Sequence, residues 1–473
     1  MHQINRHSSK ARKCLLLAGF ILGFIITGTA QELKYATGNN NWDSDSLGNH
    51  RAVVHFNGAT KVARVIIPWR RRDENPEQKR IIVADAKTKQ KVTNVKTLAL
   101  TRERGDICFE PVSGKGDYYI YYLPSKNEGR KSYPNSVYLA PEQTADNNWL
   151  QSVSPDLQPN TSVKELESID AFNSFYPMEV IATAAEMKQL LLKHPGAGYM
   201  VFPEHREFPI KMTDDLPQRW IIKGAGQYFT GQADKGEYYA FQLGIFARRD
   251  MQDVKISFTD LKAVNGKTIP AAQMNCINTN GTTYDAKPFS AVVNIPARKV
   301  QALWCGIDVP ETAAAGVYKG TATVRAANMP AMPVHVTLTV TNKRAINSGF
   351  NEPWKQTRLK WLNSTLAQNN TVIAPYTPLE MKDSVISFLG RKVGINKDGF
   401  PAQIQTFFTP EMTSLTTHPK NIFTEPVHFH FTEAATGKDL RWKSNGWKVT
   451  SKEAGKISWQ AVNTTTGLQM EVN

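Results

Sequence analysis

The stretch Val300–Ala326, VQALWCGIDVPETAAAGVYKGTATVRA, limits the fold more than any other part of the chain. It reads as two strands joined by a turn-rich connection. An apolar run from Val300 to Ile307 closes at Asp308-Val309-Pro310. A small-residue linker then leads to Ala315-Gly316-Val317-Tyr318-Lys319-Gly320 and the Thr/Val-rich run Thr321–Arg325. Proline cannot donate to a sheet ladder and glycine turns easily. Short β-branched and aromatic runs between such residues are the pattern of sandwich strands. The segment predicts a packing hairpin, with Trp304, Asp308 and Tyr318 as framework residues.

The rest of the chain is similar in kind. Val334, Val336, Leu338 and Val340 alternate with His335, Thr337 and Thr339, the two-faced pattern of an antiparallel sheet covering one core. Further strands are expected at Val62–Trp69, Arg80–Asp85, Tyr118–Leu123, Ser136–Leu139, Tyr238–Ala247, Val254–Phe258 and Val292–Ile295. Beyond residue 343 they are expected at Val385–Leu389, Arg391–Ile395, Gln403–Phe408, Val427–Phe431 and Ile457–Val462. Tyr118–Tyr122 is aromatic on both faces and reads as a central strand buried on two sides. One short helix follows the capping-box pattern Thr183-Ala184-Ala185-Glu186, with Met187, Leu190 and Leu191 on one face and Pro195-Gly196 as its stop.

At 473 residues, and about 150 per domain, the chain has room for about three domains. The expected fold class is mainly β and multi-domain: consecutive antiparallel β-sandwiches with a short helical bridging segment. The expected parts are a signal peptide at 1–30, an N-terminal β-sandwich at 31–150, a bridging segment at 151–227, a second sandwich at 228–342 and a third β domain at 343–473. The chain stops within an apparent strand at Gly467–Asn473, so the third domain is expected to be truncated.

Arg6, Lys10, Arg12 and Lys13 precede the apolar run Cys14–Ile26, and Gly28-Thr29-Ala30 offers a cleavage site. The run is short for a membrane span, which favours a cleaved leader over an anchor and predicts a secreted or periplasmic product with no later span. The net charge is +15, but basic residues are scattered. Arg70-Arg71-Arg72 reads as a solvated loop, which argues against nucleic-acid binding. Beyond the leader lie Cys108, Cys276 and Cys305. An odd number excludes a fully paired framework; a single Cys276–Cys305 disulfide stays open beside the favoured reading of three buried small hydrophobes.

Chemistry is scarce. No nucleophile elbow, zinc-protease helix, paired CxxC, P-loop or dinucleotide fingerprint is present. Asp214-Asp215 is adjacent in a loop, whereas a catalytic carboxylate pair must face one bond from two sides. His428-Phe429-His430 has metal-like spacing but lacks a third ligand, and the alternation of Val427, Phe429 and Phe431 accounts for it as a half-buried strand. No catalytic residue, metal ligand or cofactor is assigned. Trp354, Trp361, Trp442, Trp447 and Trp459 gather in the last third. Residue type alone favours core filling; stacking on sugar rings is the alternative, with Trp442 and Trp447 as candidate carbohydrate-binding residues.

The segments Phe241–Ala247, Val300–Pro310 and Ala315–Gly320 resemble the N-terminal accessory region of bacterial proteins related to glycoside hydrolase family 123. Leu359–Ser364, Ala374–Leu379 and Leu389–Arg391 resemble the β domain that precedes the catalytic barrel in such proteins. The resemblance implies a secreted or periplasmic protein of a glycan-degrading bacterium. It implies a parent enzyme that hydrolyses N-acetylhexosaminides by a substrate-assisted route, on an adjacent Asp-Glu pair in a (β/α)₈ barrel. No position here matches that pair. The expected function is therefore a non-catalytic accessory region with a glycan or polysaccharide as partner; a stand-alone carbohydrate-binding or cell-surface module is the alternative.

Overall fold

The strand Tyr238–Ala247 shows how this sequence builds its core. Its run YYAFQLGIFA is nearly all apolar, and all ten residues are buried. A strand like this needs a neighbour on each edge and cover on its faces. Tyr199–His205 pairs on one edge and Val300–Asp308 on the other, both antiparallel, with Phe241 opposite Cys305. Met274–Cys276 completes a four-stranded sheet.

A second sheet packs against it. Its order is Tyr228–Lys235, Met329–Arg344, Gly316–Ala326, Leu261–Ala263 and Thr268–Ile269, with Lys255–Phe258 also paired to Gly316–Ala326. Val334, Val336, Leu338 and Val340 are all buried in the shared core, as their alternation predicts. The structure is a computed structural model that describes residues 33–473 except 39, 131 and 155. The expected signal peptide lies outside the described residues.

The Val300–Ala326 segment corrects one expectation. Its two strands do not form a hairpin: Val300–Asp308 lies in the first sheet and Gly316–Ala326 in the second. Pro310 lacks a donor, and the connection is far longer than a two-residue hairpin turn, so the chain can cross between layers. Leu303 and Ile307 therefore share one buried core with Tyr318 and Val324. The Tyr318 hydroxyl donates to the Ala314 carbonyl at 2.9 Å and pins the crossing.

The chain divides into two compact units, one ending at Thr183 and the other beginning at Ala184. In the first, a six-stranded sheet has the order Lys34–Thr37, Thr161–Ser168, His50–Phe56, Gly116–Tyr121, Ile82–Asp85 and Lys91–Val92. Ala63–Ile67, Gly105–Phe109 and Val95–Leu100 form a three-stranded sheet whose apolar residues share its core. Gly116–Tyr121 is an inner strand, and Tyr118 and Ile120 are fully buried in that core. Thr161–Ser168, from the stretch expected to bridge, lies inside this sheet. Arg71 is not a solvated cation: it is 5% exposed, lies 4.8 Å over the Trp69 ring and is held by Asp73 at 2.6 Å.

In the second unit the expected helix forms at Ala184–Lys193 with Leu190 buried. Residues beyond 379 form a five-stranded sheet, in order Glu380–Lys382, Val385–Phe388, Arg391–Ile395, Pro401–Phe408 and Leu415–Asn421, and a three-stranded sheet of Lys443–Lys452, Ile457–Thr465 and Leu468–Val472. Two expected strands do not form. Val292–Ile295 makes a single bridge, Met251 with Ile295. Val427–Phe431 is irregular because no strand pairs along it; its alternating side chains serve an aromatic cluster instead.

Candidate functional site

The sequence Asn396-Lys-Asp-Gly-Phe400 builds a turn. The Asn396 carboxamide oxygen accepts from the Asp398 and Phe400 backbone amides, each at 3.0 Å. Gly399 has φ of +89°, a conformation that strains any side chain, and a Cβ there would meet the Ala461 methyl at 2.8 Å. The three-stranded sheet closes over this turn. Trp459 Nε1 donates to the Gly399 carbonyl and Asn463 Nδ2 to the Asp398 carbonyl, both at 2.9 Å. Ser444 Oγ donates to the Lys397 carbonyl at 2.7 Å.

Beside the turn lies a cavity of about 400 Å³. Its apolar wall is aromatic. Phe400 and Phe429 meet edge-on with centroids 5.3 Å apart, and Phe431 meets Trp442 edge-on at 5.2 Å. The polar wall holds Asp398, His428, His430 and Asp439, flanked by Lys397 and Arg441. His430 Nε2 lies 3.1 Å from Asp439 Oδ2.

Two polar atoms here have no hydrogen-bond partner among the described residues although they are shielded from solvent: Trp442 Nε1 and Asp398 Oδ1. Asn463 Oδ1, next to the turn, is a third. Leaving such an atom unbonded costs about 1–3 kcal/mol. An indole N–H can only donate and a carboxylate oxygen can accept; a hydroxyl group can answer either. Aromatic faces next to hydroxyl-binding groups are the chemistry that holds a sugar ring. Among the described residues no group of three His, Cys, Asp or Glu is placed to hold a metal ion.

The two tryptophans singled out from sequence separate. Trp442 lines the cavity, just before the strand Lys443–Lys452. Trp447 does not line it; it sits opposite Ala461 in the three-stranded sheet. None of the five late tryptophans is fully buried, against the expectation of core filling, and Trp354 and Trp361 are about half exposed. Sequence reasoning did not connect Asp398, Phe400, Phe429 and Asp439 with Trp442. The available signals were the Asp398-Gly399 turn and the His428-Phe429-His430 run, which lie far apart along the chain.

A second cavity, of about 510 Å³, opens at the end of the four-stranded sheet. Lys360 Nζ bridges both Asp308 oxygens at 2.9 and 2.7 Å, and the Tyr238 hydroxyl donates to Asn275 Oδ1 at 2.8 Å. Burial pushes the Tyr238 phenol up, so it stays a proton donor at neutral pH.

Three stretches of sequence match domains of one family. Residues 40–169 match the glycoside hydrolase 123 N-terminal domain, and residues 379–473 match the glycoside hydrolase 123 third domain. Residues 279–326, which include both strands of the Val300–Ala326 crossing, match a further glycoside hydrolase 123 N-terminal domain. The chain is related to glycoside hydrolase family 123. The aromatic cavity, from Lys397 to Met470, falls wholly within the third-domain match of this family-123 relative.

No curated protein matches the sequence. Among solved structures, a family 123 glycoside hydrolase from Clostridium perfringens, described for glycolipid glycan hydrolysis, is 18% identical with a TM-score of 0.26. The match covers 31% of this chain and 27% of that one. Self-complemented MyfA, the major subunit of Myf fimbriae from Yersinia enterocolitica, solved with galactose, is 12% identical with a TM-score of 0.17, over 25% of this chain and 94% of that one. The periplasmic chaperone SfaE is 10% identical with a TM-score of 0.16, over 41% and 95%. These superpositions are too loose for comparing sites. Among the described residues no helix is long and apolar enough to cross a membrane.

Proposed function

We propose that this chain is a non-catalytic accessory region of a secreted or periplasmic glycoside hydrolase, and that it holds a glycan of N-acetylhexosaminide type at the Trp442 cavity. The observation that carries the reading is the aromatic wall beside the unpartnered Trp442 Nε1 and Asp398 Oδ1, inside the stretch that matches a family-123 third domain. In this reading an apolar sugar face rests against Trp442 and Phe429. Ring hydroxyls accept from the indole and donate to the Asp398 carboxylate. Trp447 supports the sheet without touching the sugar.

A glycan array with the 473-residue chain tests this. Saturable binding to N-acetylhexosamine glycans is expected, lost in Trp442→Ala and kept in Trp447→Ala, with the folded state of each checked by circular dichroism. A blank array from the folded protein would overturn the binding role. Hydrolysis of aryl N-acetylhexosaminides by the purified chain would overturn the non-catalytic one.

A further inference from the structure

We propose that Cys276 and Cys305 are a cross-linking site, closing to a disulfide by exchange with an oxidised small-molecule disulfide and tying the edge strand Met274–Cys276 to Val300–Asp308. The two strands run antiparallel with Met274 opposite Ile307, Asn275 opposite Gly306 and Cys276 opposite Cys305. Directly opposed residues of an antiparallel pair point their side chains to one face, with Cα atoms about 4.5–5.5 Å apart. That range lies within the roughly 4.4–6.8 Å that a disulfide spans. The register alone therefore supplies the geometry.

The surroundings agree. Both thiols are free in this structure and lie in the core of the second sandwich, 1% and 2% exposed. The Cys305 thiol donates to the Leu303 carbonyl at 3.7 Å, and its proximity, with the Asn278 and Thr279 amides, lowers the Cys276 thiol to about 7. Cys305 is pushed well up, first by burial. Of the two, Cys276 is the more easily deprotonated, and it lies on the short edge strand. Cys108 lies in the other compact unit, and burial raises its thiol to about 11, so it serves as an internal control. Met274–Cys276 is three residues long and lies at the edge of its sheet, the kind of element that opens locally or pairs late in folding.

The exchange balances with oxidised glutathione. The Cys276 thiolate attacks one glutathione sulfur, forming a mixed disulfide and expelling a glutathione thiolate. Cys305 loses its proton and displaces the second glutathione. One protein disulfide forms, two electrons leave the protein, and one oxidised glutathione becomes two reduced ones. The new bond closes the connection between 276 and 305, which contains the hairpin Asn280–Thr282 and Pro288–Ser290, and restricts it in the unfolded chain.

The test is peptide mapping of the full chain after incubation with oxidised glutathione, both native and during refolding, followed by alkylation under denaturing conditions without reduction. A linked peptide pair containing Cys276 and Cys305 is expected, with Cys108 alkylated. The thermal midpoint should rise by several degrees and return after reduction, a shift absent in Cys276→Ser. Recovery of both thiols fully alkylated after native incubation and after oxidative refolding would overturn the proposal. So would linkage of either one to Cys108 in place of the other. The mapping uses the wild-type chain, so it stands even where a serine variant folds poorly.

Discussion

The strands Tyr238–Ala247 and Pro401–Phe408 both carry aromatic and aliphatic residues and are both inner strands of their sheets, yet they end in opposite conditions. Every residue of the first is buried; every residue of the second stays partly exposed. The first has neighbours on both edges and a second sheet across its face. The second also has neighbours on both edges, yet none of its residues is closed off from solvent. Arg391 and Lys392 instead lie 5.5 Å from the Phe408 and Phe407 rings. Strand pairing satisfies the backbone, while burial depends on what lies across the face. The covered sandwich is a scaffold. The open region keeps Phe429 exposed and Trp442 partly exposed near polar atoms that have no partner among the described residues.

The contrast breaks most directly at the covered core. Glu237 and Arg206 are both buried and joined at 2.5 Å, so Glu237→Ala strands a buried cation and should cost about 3–5 kcal/mol. Phe241→Ala opens a cavity in the same sandwich and should also cost about 3–5 kcal/mol. Ile404→Ala, on the open sheet, should cost about 1 kcal/mol or less, since Ile404 is already partly in water. Denaturant titration followed by amide exchange in each strand measures all three. Equal losses for Phe241→Ala and Ile404→Ala would end the comparison.

An intermediate effect is expected at Gly306. A Cβ there would run into the Tyr238 ring, whose hydroxyl is held by Asn275, so Gly306→Ala should cost about 1–3 kcal/mol. Acid sensitivity gives a finer test. His50 is partly buried, donates from Nε2 to the Asn173 carbonyl at 2.7 Å and is lowered below its ordinary value of 6.5, first by desolvation. The unfolded chain takes up this proton first as pH falls. The stability is thus fully present above about 6.5 and is lost as pH falls toward the folded value. Thermal midpoints measured between pH 7.5 and 5 should fall less steeply in His50→Gln. A stability change as small as that of Ile404→Ala, about 1 kcal/mol, is expected for Trp442→Ala, whose main effect should be on glycan binding.

Much of the framework was legible because local pattern decided it. The alternation from Val334 to Val340, the continuous apolar run Tyr238–Ala247 and the helix Ala184–Lys193 each appear as the residues predict. Val427–Phe431 shows the limit. Its alternation suits a strand, but nothing pairs along it, and its phenylalanines instead form part of an aromatic cluster beside Trp442. The candidate site was legible only as fragments. A turn at Asp398, a run at His428 and a tryptophan at 442 gave no sign of adjoining one cavity, because no local periodicity encodes contact between segments so far apart.

By itself the sequence determined a mainly β, multi-domain chain and the family to which it is related, since period-two apolar patterns and Pro/Gly punctuation act residue by residue. Tertiary structure decided the rest. It sent Val300–Asp308 and Gly316–Ala326 into different sheets, buried Arg71 over Trp69, set Cys276 opposite Cys305 and left the late tryptophans out of any closed core. The physical reason is the same each time. Pairing and turning are short-range, but which face meets which layer depends on how distant segments pack.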